Sequence, residues 1–290
     1  MKKFFIRSFF FLLVGIVYFI LALITNKVIF HFSRSPINDS NIIITGDSHL
    51  QSALDPTLFT SAVNICQGSE PIIVSYWKLK YLIEKVRFDT LILGLSYQNI
   101  AGVNDIKFNR GIISRELFRR TYAIQKLADL KNIDFDYLVD FQIFFKNMCL
   151  FPRFDHNTFI GNYISIKEEY VDDTDQKIQE HYFVNMEFGG ISYISINYLD
   201  SLITTCEKNN IKLILISAPV SVHYFNSIPD NIKAKFDSLC LSLNDRGIVF
   251  LDYSQFNIEK DAFYNSDHLN SEGSKLFSSE IIGVLKNEEN

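Results

Sequence analysis

The sequence predicts an α/β protein: an open sheet of five parallel strands with helices on both faces, preceded by one membrane-spanning helix. Three observations predict it. Short aliphatic and β-branched runs recur between turn residues, as in "IIIT", "LILG", "LILIS" and "VFLD", which is how strands buried on both faces read. Segments of helical periodicity separate most of these runs, the alternation that parallel sheets require. Residues 9–25, "FFFLLVGIVYFILALIT", carry no charge at all.

The first element is that apolar run. With Val28, Ile29 and Phe30 it supplies about 20 apolar residues, which at ~1.5 Å each cross a ~30 Å hydrocarbon core. Lys2, Lys3 and Arg7 precede it, so the predicted topology is single-pass with a cytoplasmic N-terminus and the remainder outside the cytoplasm. No A-x-A-like cleavage site follows, which favours an anchor over a signal peptide. The predicted division is an anchor over residues 1–31 and an α/β domain over 32–290. The linker, residues 31–41, extends to at most ~35 Å and tethers the domain close to the membrane.

Strands are predicted over 41–45, 62–66, 89–96, 211–219 and 247–254. Helical patterns cover 71–86, 193–208, 231–243 and 271–285. Between the third and fourth strands lies a segment too long for a simple crossover, about 97–190. It is predicted as a helical insertion, with helices over 114–130 and 136–148, capping the sheet's active edge.

Composition excludes some functions. The net charge of −5 over 290 residues, without a basic block, points away from nucleic acid. Cys66, Cys149, Cys206 and Cys240 are too widely spaced for a metal site or a small disulfide framework and read as core residues, with a pair in an oxidising compartment left open. His156, His181 and His223 show no metal-ligand spacing, so neither a metal nor another cofactor is expected.

Two short motifs carry chemistry. Gly46-Asp47-Ser48-His49 follows the first strand, and Tyr264–Gly273, "YNSDHLNSEG", follows the last. Both fall at the carboxyl edge of one parallel sheet, where ligands of such folds bind. Ser48 is the candidate nucleophile and His268 the candidate base, because a serine hydroxyl needs a neighbouring imidazole to take its proton. Asp47 reads as a brace for the turn, and His49 as a residue facing a neighbouring helix or contacting substrate.

"GDSH" and "DHLN..G" resemble the first and last blocks of the SGNH/GDSL hydrolase superfamily, a likeness covering about residues 41–286 without the insertion. The resemblance implies a flavodoxin-like three-layer sandwich and metal-free ester chemistry through an acyl-serine. It also implies oxyanion donors at Ser48, at Gly68 in the second block, and at the third-block asparagine. Here Ser96 stands at that asparagine position, leaving the Ser96 hydroxyl or Asn99 to donate. The superfamily's acid, three residues before the histidine, is Asn265 in this chain. Three alternatives stay open: Asp267 orients His268, a Ser-His dyad works unaided, or the site is weakened.

Together with the anchor, the pattern is similar to envelope proteins that act with, or like, polysaccharide O-acyltransferases. The expected function is a membrane-anchored esterase or acyltransferase on O-acyl esters of envelope or lipid-linked glycans, working beside a membrane-bound acyltransferase partner. The rival expectation is a non-catalytic scaffold or binding subunit on a degenerate hydrolase fold.

Overall fold

The computed structural model describes residues 1–33, 37 and 40–288. The predicted linker at 31–41 lies partly outside the described residues. The chain divides into two compact units. One joins the N-terminal helix to Phe108–Phe159, and the other holds residues up to Lys107 and from Ile160 onward.

The second unit contains the sheet. Its strands are β1 (Ile42–Thr45), β2 (Ala62–Asn64), β3 (Thr90–Gly94), β6 (Lys212–Ser217) and β7 (Val249–Asp252). They pair in the order β2-β1-β3-β6-β7, all parallel, with Ile43 opposite Leu91 and Ile92 opposite Ile214. This is a doubly wound sheet whose strand order reverses between β1 and β3. Right-handed crossovers then set the faces. The connections through α3 (Ile72–Leu82), α8 (Tyr193–Lys208) and, after the short α9 (Val222–Ser227), α10 (Asp230–Asp245) all run toward β7; α3, α8 and α10 share one face, where α3 and α8 touch. The β1–β2 connection runs the other way, so α2 (Ser48–Ala53) takes the opposite face with α11 (Ser271–Glu288). There Ile44, Leu50, Ile92, Ile214, Ile216, Phe277 and Ile281 form a buried cluster.

Between β3 and α8 the structure differs from the predicted single insertion. Only 108–159 joins the N-terminal helix; residues 160–190 belong to the sheet unit. The cause is local: Gly161 N donates to Ile65 O and Ile164 N to Gln51 O, which clamps the returning chain onto the carboxyl ends of the sheet. That stretch then forms α7 (Thr174–Tyr182), not foreseen from the sequence, and a small hairpin of β4 (Phe183–Val184) and β5 (Glu187–Phe188). The turn between them puts Asn185 and Met186 at positive φ.

The first unit holds α1 (Lys2–Phe32), α4 (Gly111–Thr121), the single turn α5 (Leu127–Leu130) and α6 (Tyr137–Met148). The predicted helix over 114–130 is therefore two. Ile124 N and Gln125 N both fold back onto Thr121 O, and the Thr121 hydroxyl caps Leu117 O, which ends α4. Among the described residues all four cysteines are free. Cys240 is only half-buried.

Candidate active site

The loops after β1, β2, β3 and β7 meet at the switch point, and the segment 160–181 closes over them. Gly46 sits at φ 144°, which favours glycine, and a Cβ there would lie 3.1 Å from Gly94 N, so a side chain would crowd the close approach of the loops after β1 and β3. Asp47 then caps α2, accepting from His49 N at 3.0 Å. Its other oxygen accepts from Gln98 Nε2 at 3.0 Å and Asn99 Nδ2 at 2.9 Å. Burial pushes the Asp47 carboxyl up, but the neighbouring His49 charge and these amide donors outweigh it and hold it below the usual range. Ser48 opens α2, half-buried, and among the described residues its hydroxyl makes no hydrogen bond.

The His268 loop is fixed from beneath. Tyr264 O accepts from Val171 N, and Ser266 O from Ser221 N. Asp173 accepts from Asn265 Nδ2 at 2.9 Å, from Ser266 N at 3.1 Å and from the Ser266 hydroxyl at 2.6 Å. Asn265 Oδ1 faces the other way, toward His268 N at 2.9 Å and His268 Nδ1 at 3.0 Å. This decides the imidazole's protonation. A carboxylate only accepts, so Asp173 must face the Asn265 amine; Oδ1 must then face Nδ1, and Nδ1 carries the hydrogen. His268 Nε2 is left as the acceptor, the tautomer a general base needs.

Asp267 is wholly buried, with Oδ1 2.8 Å from His268 Nδ1 and Oδ2 3.1 Å from His49 Nε2. The contact with Nδ1 lacks hydrogen-bond alignment, as adjacent residues impose; Asn265 takes the directed bond and Asp267 supplies charge. Burial raises the Asp267 carboxyl, but the neighbouring His268 imidazole and the hydrogen bond from His49 hold it well below the usual range.

The sequence-predicted residues are thus brought together in part. Asp267, His268 and Asn265 form one cluster. It meets the Ser48 segment through His49, whose ring centre lies 5.0 Å from that of His268. No hydrogen bond joins Ser48 to His268. Asn99 Nδ2 donates to Asp47 Oδ2 at 2.9 Å and its Oδ1 accepts from Ser96 N at 2.7 Å, so in this arrangement Asn99 caps the short helical turn after β3 and braces Asp47. Ser96 is buried with its hydroxyl 3.4 Å from the Ser217 hydroxyl. Gly68 lies in the turn after β2, where Glu70 N donates to Gln67 O and Ser69 takes φ 59°.

Sequence reasoning missed three residues here. His49 faces Asp267 rather than a neighbouring helix. Asp173 sets the Asn265 amide. His181, set aside as scattered, lies with Nε2 3.8 Å from Asp267 Oδ2 and Nδ1 2.6 Å from the Tyr224 hydroxyl. Burial lowers His181 to about 4, so it is neutral at physiological pH. The donor atoms of His49, His181 and Asp267 fall within 4.8 Å of one another, a set that zinc accepts. In the present arrangement, however, the oxygens of Asp267 already face imidazoles.

No family model matches the chain, and no curated protein does. Among solved structures it is similar to a proposed acylhydrolase from Bacteroides fragilis, at 11% identity and TM-score 0.45 over 91% of this chain and 95% of that one. It is similar to a protein from Streptococcus pneumonia described as a proposed platelet activating factor, at 11% identity and TM-score 0.46 over 97% and 98%. It is also similar to a GDSL-like lipase from Bacteroides thetaiotaomicron, at 10% identity and TM-score 0.42 over 90% and 94%.

Proposed function

We propose that the chain is a serine-dependent ester hydrolase or O-acyltransferase of the SGNH/GDSL kind, with Ser48 as nucleophile and His268 as base. The observation that carries this is the Asp173–Asn265–His268 relay, which leaves a lone pair on His268 Nε2, beside a buried carboxylate able to stabilise the imidazolium. An asparagine at the position of the acid therefore need not select the wrong tautomer.

In the proposed reaction Ser48 Oγ attacks the acyl carbonyl and its proton passes to His268 Nε2. Backbone N–H groups of Ser48 and Gly68, with the Ser96 hydroxyl after rotation, receive the oxyanion. The proton returns to the leaving alcohol, and water or a sugar hydroxyl takes the acyl group. Such hydrogen bonds commonly form only once substrate is bound.

Anchoring by α1 is part of the proposal. The helix has 31 residues and a mean hydropathy of 2.6 over its most apolar window. The proposed substrate is an O-acylated envelope or lipid-linked glycan, and the proposed partner a membrane-bound acyltransferase. A cavity of about 420 Å³ beside the His268 loop supports a glycan. The rings of Tyr170, Phe225 and Phe256 and the amides of Asn226, Gln255 and Asn257 line it, offering faces for sugar C–H groups and partners for hydroxyls.

A second reading, a non-catalytic binding subunit, is favoured by the Ser48 hydroxyl lacking a hydrogen bond. Treatment of the full chain with a fluorophosphonate separates the two. Labelling that maps to Ser48 and disappears in Ser48→Ala supports the enzyme; a folded chain that stays unlabelled, beside a serine esterase that labels, overturns it.

A further inference from the structure

The unit built on α1 poses a problem of its own. Tyr137, Leu138, Phe141, Phe151 and Phe154, on α6 and the turn after it, are 61 to 83% exposed. So large an apolar surface on one short helix and its turn marks an interaction site.

The contacts of α1 indicate what covers it. Phe19 of α1 meets Phe145 with ring centres 5.1 Å apart, and Phe145 stacks on Phe141 at 5.7 Å. Asn26 is fully buried; its amine donates to Met148 O at 2.9 Å and Phe151 O at 2.8 Å, and its oxygen accepts from Arg153 N at 2.7 Å. The Tyr18 hydroxyl donates to Leu150 O. Tyr18 lies 14 residues before the end of α1, about 21 Å along its axis, inside the apolar run. Residues 145–153 therefore run beside the part of α1 that a bilayer would enclose.

The hydrogen bonds point the same way. The last carbonyls of a helix have no partner within it and are ordinarily left to water. Here side chains of α1 satisfy the carbonyl of Met148, at the end of α6, and those of Leu150 and Phe151 in the turn after it. In lipid such groups must be satisfied internally. Arg153 turns two of its donors back into the same unit, Nε to Asp155 O at 2.7 Å and a terminal nitrogen to Asn147 Oδ1. Lys146, exposed on α6, has a stem long enough to carry its charge to the headgroups.

We propose that α6 and the turn over residues 149–154 are seated in the lipid bilayer beside α1, as a second, interfacial membrane contact with the extracytoplasmic leaflet. The aromatic side chains lie at the boundary of headgroup and acyl chain, where amphipathic helices settle. The proposal rests on the reading of α1 as an anchor.

The test uses the full chain in nanodiscs made with phosphatidylcholine brominated on its acyl chains. The chain has one tryptophan, Trp77, which is buried in the sheet unit and serves as the internal reference. Phe154→Trp adds a reporter on the turn, Tyr137→Trp one on α6, and Leu12→Trp one on the anchor. The expected result is loss of most of the introduced fluorescence in all three, with Trp77 unaffected. If Leu12→Trp is quenched while Phe154→Trp and Tyr137→Trp are not, the anchor stands and the second contact is wrong. A protein partner or second copy covering the patch gives that same result. If Leu12→Trp also escapes quenching, the anchor fails and takes this proposal with it.

Discussion

His49 Nε2 lies 3.1 Å from Asp267 Oδ2 across 218 residues of sequence, and neither group reaches solvent. The residue after the candidate nucleophile thus holds the residue before the candidate base. A carboxylate adjacent to a histidine in sequence tends to diverge from it. By engaging Oδ2, His49 keeps the Asp267 group turned so that Oδ1 stays 2.8 Å from His268. His49→Gln, which keeps a donor, is expected to retain more activity than His49→Ala, and the difference should appear in kcat with a small ester. Equal activity in the two variants counts against this positioning role.

Asp267→Asn should lower kcat by less than the ~10⁴ that follows where such a change also imposes the wrong tautomer, because Asn265 still holds the hydrogen on His268 Nδ1. The counterintuitive variant is Asn265→Asp, which installs the acid of the superfamily. Here it sets a carboxylate against Asp173, 2.9 Å away, where an amine now donates. Activity should fall, and Asn265→Asp combined with Asp173→Asn should recover part of it. A gain from Asn265→Asp alone would show that Asp173 does not govern this loop.

The histidines oppose one another in pH dependence. Burial lowers His49, but Asp47 and Asp267 outweigh it, so its folded pKa lies above the ordinary value of about 6.5. Its stabilising contribution is full below that value and is lost as pH rises through the raised pKa. His181 is lowered to about 4, so between about 6.5 and 4 the unfolded chain binds its proton first and stability falls with falling pH. His181→Phe should flatten the acid side of the urea-midpoint profile, and His49→Gln should lose most stability, relative to the parent, below pH 6.5. Parallel profiles for all three proteins would contradict both assignments.

Lys78 and Glu70 form a fully buried ion pair beneath the second loop, with Lys78 Nζ also donating to Ile65 O at 2.7 Å. Lys78→Met leaves the Glu70 carboxyl buried without its cation and should cost about 3–5 kcal/mol by urea unfolding. Replacing both residues with apolar ones should cost less than the single change. The loss also loosens the turn that carries Gly68, so kcat/KM should fall further than stability alone explains.

The sheet was legible because strands buried on both faces leave an unbroken aliphatic record, as in Thr90–Gly94 and Lys212–Ser217. The places of Ser48 after β1 and of His268 before the last helix were legible because glycine, a small polar turn and a helix start mark those ends. His181 left no such mark: it lies near the end of a polar helix, and only the return of the chain over the sheet brings it to Asp267. Asp173 was hidden for a similar reason, since an acid in a polar stretch looks solvated until a distant amide is found against it. The split of the insertion at Phe159 turns on one residue, Gly161, whose role depends on what lies opposite.

Gly161 gives the sharpest test of that closure. A Cβ there would fall 1.8 Å from Cys66 O and 2.6 Å from Cys66 C, both backbone atoms of a buried residue that cannot move aside. Gly161→Ala must therefore lift the returning chain. That breaks the bond from Gly161 N to Ile65 O and the one from Gln51 Nε2 to Asn162 O. Gln51 belongs to α2, the helix that Ser48 begins, so the disturbance reaches the site directly. The variant should lose about 3 kcal/mol or more in urea unfolding and most of its activity. An alanine tolerated within about 0.5 kcal/mol would mean that residues 160–166 do not clamp the sheet edge, and that His181 is held near Asp267 by α7 alone.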